Sequence, residues 1–200
     1  AHRLNDKSGM FHNVGENQIK EIINASLCSV FFIDESQRVT LNDIGTVAEI
    51  RKWAEKLNSE IDEMELLSQF RCNGSDGYLA WLDEVLEIRN TANFDMNNID
   101  YDIRIVDSPN EVRNLIIERN KVRNHSRILA GYCWAWMKEG QNNSAVHDIK
   151  IGDFEMSWNL GNTTTFAIDE TSINEVGCIH TSQGLEFDYV GVIIGKDLLY

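Results

Sequence analysis

A chain of 200 residues with 42% apolar content can bury the core of one large domain or two modest ones. Its 32 acidic against 18 basic residues leave a net charge of -14, which weighs against tight binding of a phosphate backbone by this chain alone, because that needs clustered Lys and Arg. No apolar run is long enough to span a bilayer and no signal peptide opens the chain, so no membrane partner is expected and the cytoplasm is the expected compartment.

The polar, Gly-punctuated residues 1–15 are expected to be loop. Ile19, Ile22 and Ile23 follow at helical spacing and predict a short amphipathic helix over about 16–25. Residues 27–33 are a near-continuous apolar run, the pattern of a strand buried on both faces of a parallel sheet. Thr46 with Glu49 three places on forms a capping box, opening a helix that carries Val47, Ile50, Trp53, Ala54 and Leu57 to about residue 58. Residues 60–67 are expected to return as a strand that delivers Arg71 into a loop.

The break Asn73-Gly74-Ser75-Asp76-Gly77 marks the junction between two halves. A helix lined by Tyr78, Leu79, Leu82, Val85 and Leu86 is expected to about residue 89, an Asn-rich loop over 90–100 and a strand over 101–106. Ser108-Pro109-Asn110-Glu111 combines an N-cap, a proline in the first turn and a capping-box glutamate, which predicts a helix over 109–120. A short strand over 127–132 follows. Between 133 and 174 the periodic signal fades into a loop at 140–144 and short strands or a hairpin within 149–168, an insert in the second half. Alternating strands and helices argue an α/β class, a parallel sheet with helices on both faces. The four cysteines stand far apart with no CxxC pair, which indicates neither a zinc site nor a disulfide framework; Cys28 and Cys178 are expected in buried strands.

The densest polar signal is Cys178-Ile179-His180-Thr181-Ser182-Gln183-Gly184-Leu185-Glu186-Phe187-Asp188, followed by the apolar residues 189–194. It reads as strand, polar loop, strand, so polar groups gather at one end of a sheet, where open α/β sheets bind ligands. Gly184 lets the backbone approach a ligand closely, and Glu186 can accept from a sugar hydroxyl or orient a cation. His180 on an apolar strand is most often a satisfied core histidine, and no second ligand at metal spacing accompanies it. Asp34-Glu35 after an apolar run fits a Walker B pair or an ordinary polar turn. Arg71 fits a charge-neutralising finger on a phosphoryl group or a solvated surface arginine. Tyr132, Trp134, Trp136 and Trp158 fit a stacking platform for unpaired bases or one core-facing side of a strand. Gly191-Val192-Ile193-Ile194-Gly195-Lys196-Asp197 is one residue short of a P-loop and has Asp197 where Ser or Thr must bind magnesium, so it is rejected as one.

The run from His180 to Val192 resembles motif V of superfamily 1 helicases, in the form found in schlafen group 3 type DNA/RNA helicase domains. Phe31-Phe32-Ile33-Asp34-Glu35-Ser36-Gln37-Arg38-Val39 is similar to the family's motif III, Leu66-Leu67-Ser68-Gln69-Phe70-Arg71-Cys72 to its motif IV, and Ala1-His2-Arg3 to the tail of a DEAHR-type Walker B box. The resemblance, four matches in order over nearly the whole chain, implies a RecA-like P-loop NTPase fold in two partial lobes. Residues 1–72 would be the end of the first lobe and 73–200 most of the second, with the insert at about 133–174. It implies ATP and Mg²⁺ as cofactors and DNA or RNA as partner of the intact protein, beside other protein domains. Gln37 and Arg71 take catalytic roles, and Asp34, Gly184 and Glu186 lie on the nucleotide side. His180, Thr181, Ser182 and Gln183 lie toward the nucleic acid, Gln183 standing where many members carry lysine. No Walker A loop occurs in the chain, which is therefore expected to be a piece of a longer protein and not to hydrolyse ATP alone. A regulatory ATPase and a chemically inert interaction domain are the rival readings.

Overall fold

The computed structural model describes residues 4, 16–38, 43–66, 76–97, 99–161, 163–196 and 198. The chain divides into two compact units, residues 1–68 and 69–200.

In the first unit, helix α1 (Gln18–Ala25) packs against α2 (Val47–Lys56). The Asn17 side chain accepts from the amides of Ile19 and Lys20 at 3.0 and 3.1 Å, satisfying two donors that a helix start leaves open. Thr46 does the same for α2, accepting from the Glu49 amide at 3.1 Å. Ile19 and Ala54 are the buried apolar side chains of this pair. Around the Trp53 ring stand the ammonium groups of Lys20, Lys52 and Lys56, 5.2, 5.7 and 4.6 Å from its centre.

Two expected strands are corrected here. Residues 27–33 and the described part of 60–67 run as irregular chain, and Leu27, Val30, Phe32 and Cys28 are exposed rather than buried on two faces. A strand exists only when a neighbour takes its amides and carbonyls, and among the described residues of this unit no such neighbour is present.

The second unit carries α3 (Asp76–Val85), α4 (Pro109–Val122) and a five-stranded sheet. Its strands are β1 (Ser126–Ala130), β2 (Ile149–Ile151), β3 (Phe154–Trp158), β4 (Glu175–Gly177) and β5 (Tyr189–Ile193), in spatial order β2-β3-β4-β1-β5. All neighbours are parallel except β2 and β3, which form the hairpin expected within 149–168. Gly152, at φ +58, opens its two-residue turn, a conformation glycine adopts without steric cost. The fold is therefore mixed α/β with a mostly parallel sheet, but residues 101–106, expected as a strand, are irregular. Their Asp102 instead receives Arg104 and Arg119, at 2.9 and 3.0 Å.

Register sets the faces. Ile128 lies beside Gly191, and a Cβ on Gly191 would stand 2.5 Å from Val112 and 2.9 Å from Ile116, so α4 packs on that face. The next pair, Leu129 and Gly177, faces the other way, where a Cβ on Gly177 would meet the Phe166 ring at 2.6 Å. Ile116, Ile128, Ala130, Ile149, Phe154, Met156, Trp158, Val176, Cys178 and Ile193 form the core. Each large side chain buried there contributes about 1.5–3 kcal/mol.

Arg127, on β1, is fully buried. Its Nε donates to Phe166 O at 2.8 Å, Nη1 to Asn120 Oδ1 and Ser126 O at 2.9 and 2.7 Å, and Nη2 to Asn124 Oδ1 and Asp169 O at 2.9 and 2.7 Å. All five guanidinium donors are thus used, which is what makes a buried arginine tolerable. Burial pulls its pKa down, with the charges of Asp169 and Glu175 acting the other way.

Candidate functional site

Because β1, β3, β4 and β5 run parallel, the chain leaves all four at the same edge of the sheet. The loops after Ala130, Trp158, Gly177 and Ile193 gather there, at the edge where open α/β sheets bind ligands.

The segment singled out in the sequence lies at this edge with one correction. β4 stops at Gly177, and His180, Thr181 and Ser182 sit on a single helical turn, α5 (Ile179–Ser182), not on a strand. Thr181 explains the change. Its hydroxyl accepts from the Cys178 amide at 3.3 Å and its own amide donates to Cys178 O at 3.0 Å, local bonds that compete with strand pairing. The buried Thr181 Oγ1 also donates to Asn159 Oδ1 at 2.6 Å. Asn159 has φ +52, a value that asparagine tolerates better than most residues, and its amide donates to Val176 O at 2.8 Å. Ser182 turns its hydroxyl back to Cys178 O at 3.1 Å. The His180 ring lies 5.8 Å from Tyr132, which packs edge-on against Trp158 at 5.0 Å.

Gln183 ends α5, and Gly184 follows at φ +85. A Cβ there would meet nothing within 4 Å, so the left-handed backbone favours glycine while its surroundings are open. Glu186 is exposed on the segment returning to the opposite edge, just before Phe187 and Asp188, which contact His125. The structure therefore groups His180, Thr181, Ser182 and Gln183, while Glu186 leads away from them.

In the first unit, Asp34 and Gln37 are brought together: Gln37 Nε2 donates to Asp34 Oδ2 at 2.7 Å across a 3₁₀ turn at Glu35–Gln37. The intervening Glu35 accepts from the Val47 amide at 2.8 Å, at the start of α2, where a carboxylate also meets the positive end of the helix. Arg71, most of the motif IV match and Ala1-His2-Arg3 lie outside the described residues.

The aromatic residues divide. Trp158 is core, whereas Tyr132 and Trp136 are exposed at the loop edge, at 57% and 41%. Beneath them two carboxylates fix the loops. Buried Asp148 accepts from the Met137 amide at 2.8 Å and the Trp158 amide at 3.0 Å, and buried Glu175 accepts from the Leu160 amide. Burial pushes the Glu175 carboxyl above its ordinary range, opposed by bonds from the Leu160 and Gly161 amides. Neither residue carries a motif signal in the sequence, and Asn159, which joins two loops, follows Trp158 with nothing in its neighbourhood to flag it. Among the described residues no group of three or more His, Cys, Asp or Glu could hold a metal ion, and no helix is long and apolar enough to cross a membrane.

The sequence pattern of the family described as Schlafen group 3, DNA/RNA helicase domain matches residues 1–200, the whole chain. The chain belongs to this schlafen group 3 helicase-domain family. It is also similar to the uncharacterized protein YPL245W of Saccharomyces cerevisiae, 25% identical over 225 residues that cover 100% of this chain and 48% of the yeast protein. The chain thus spans about half the length of that curated relative. No solved structure matches it. For this schlafen group 3 chain, then, the loop edge around α5 belongs to a helicase-like domain.

Proposed function

We propose that the chain supplies parts of two RecA-like lobes of an ATP-dependent, nucleic-acid-directed motor, with the division into lobes near residue 72. The observation that carries this reading is the Thr181–Asn159 bond, which fixes the motif V-like turn to the carboxyl edge of a parallel sheet in a family of helicase domains. In it, His180, Ser182 and Gln183 face the strand on the turn that buried Thr181 holds, Gln37 and Arg71 act on the γ-phosphate, and Asp34, Gly184 and Glu186 border the nucleotide. The Asp34–Gln37 pair supports the nucleotide side, since an amide held by a carboxylate on a tight turn is a pre-oriented group of the kind that positions a water against a phosphate. The two carboxylates of that turn, Asp34 and Glu35, already accept from Gln37 and from the Val47 amide and do not by themselves make a magnesium site, so Mg²⁺ is assigned to the phosphates of ATP and to a Walker A loop, which this sequence lacks.

Steady-state ATP hydrolysis by the full-length protein, with and without single-stranded DNA or RNA, tests the reading. Stimulation by either strand is expected. ATP turnover indifferent to both would instead favour a regulatory ATPase, and absence of turnover would favour an inert interaction domain, the alternative that the net charge of -14 supports.

A further inference from the structure

A depression of about 350 Å³ opens at the loop edge of the sheet, lined by Trp136, Gln141, Asn142, Asn159, Leu160 and Gly161. Its two walls are joined where the Asn142 amide donates to Leu160 O at 2.9 Å. None of the six lining residues is charged, so the chemistry suits neither a phosphate nor a cation. What they offer is one exposed indole, three side-chain amides and open space, for a Cβ on Gly161 would meet nothing within 4 Å. An indole face stacks on any base, and each amide presents a donor beside an acceptor, the complement of a base edge. Asn159, which lines the depression, has its Oδ1 committed to the Thr181 hydroxyl, and this connects the depression with α5.

We infer that this depression is a subsite for one unpaired base of a single strand, stacked on Trp136 and contacted by the amides of Gln141, Asn142 and Asn159. The inference rests on the nucleic-acid reading above. It also fits the charge of the chain: with few basic residues to neutralise phosphates, stacking is the term left to hold a strand.

The test is fluorescence anisotropy of the full-length protein with labelled oligouridylate and oligothymidylate, with the same backbones carrying abasic sites, and with ATP as the free nucleotide. Trp136→Ala is expected to weaken the base-bearing strands by about 5- to 150-fold, the span for one stacked base, and to leave the abasic strands and ATP unchanged. Trp136→Phe retains most of the affinity. Gly161→Leu, which fills the space from an exposed position without removing a contact, gives the same selective loss and serves if the alanine variant fails to fold. Equal binding of base-bearing strands by wild type and both variants would overturn the subsite while leaving the motor reading intact. So would a loss shared by abasic strands, or a loss confined to ATP, which would assign the base to free nucleotide. A wild-type protein that binds no strand would sink the nucleic-acid reading itself.

Discussion

Thr181 Oγ1 donates to Asn159 Oδ1 at 2.6 Å, joining the turn after β4 to the turn after β3 across 22 residues of sequence. Thr181 is buried and Asn159 half-buried, and the same hydroxyl accepts from the Cys178 amide, so the bond lies in a small local network.

Thr181→Val keeps the shape and removes the hydroxyl, leaving the Cys178 amide and the Asn159 carbonyl without that partner. A loss of about 1–3 kcal/mol in urea denaturation is expected, with Thr181→Ser close to wild type. A valine variant as stable as wild type would mean that the network is not needed to hold the two turns.

Glu175 gives a pH dependence whose sign follows from its burial. Its folded-state pKa lies above the ordinary 4.5, so the folded chain keeps a proton that the unfolded chain has lost. Between these two values stability falls as pH rises, and the unfavourable contribution persists at neutral pH. Glu175→Gln should therefore gain stability relative to wild type at pH 7, and the difference should shrink as pH is lowered toward 4.5. Denaturation curves at several pH values for the pair check this; a difference that does not change with pH contradicts it.

Three glycines separate close packing from open space. A methyl group at Gly177 would stand 2.6 Å from Phe166, and one at Gly191 would stand 2.5 Å from Val112, whereas Gly161 has no neighbour within 4 Å. Gly177→Ala and Gly191→Ala are expected to cost about 1–3 kcal/mol each, and Gly161→Ala less than about 0.5 kcal/mol. Thermal unfolding of the three variants ranks them directly.

Arg71→Ala in the full-length protein is expected to lower ATP turnover by about 10³- to 10⁵-fold while nucleotide binding largely survives. Near-normal turnover in a steady-state assay would remove the finger assignment.

What is legible in the sequence is local. Ser108 caps α4 and accepts from the Asn110 amide at 3.2 Å, Thr46 caps α2, and the apolar run that gives β5 stands where periodicity puts it. These features depend on residues a few places apart. Residues 27–33 have the composition of a strand, but composition cannot supply the neighbour that a strand needs. Cys-Ile-His reads as apolar alternation and so as strand, while the Thr181 hydroxyl three places from Cys178 decides for a turn. Arg127, Glu175 and Asn159 carry no signal because their partners lie 15 to 42 residues away or on other elements, distances at which no periodicity survives. For the site, the grouping of His180 to Gln183 is legible, and the departure of Glu186 toward the opposite edge is not.

The fully engaged guanidinium of Arg127 fixes one side of the loop edge. It clamps residues 166–169 to β1, so the approach to β4 is held at its beginning. Beyond α5 the chain meets Gly184, left-handed and uncrowded. The segment carrying α5 is therefore anchored on its upstream side, by Arg127 before β4 and by Asn159 beside it, and is least constrained at Gly184, ahead of β5.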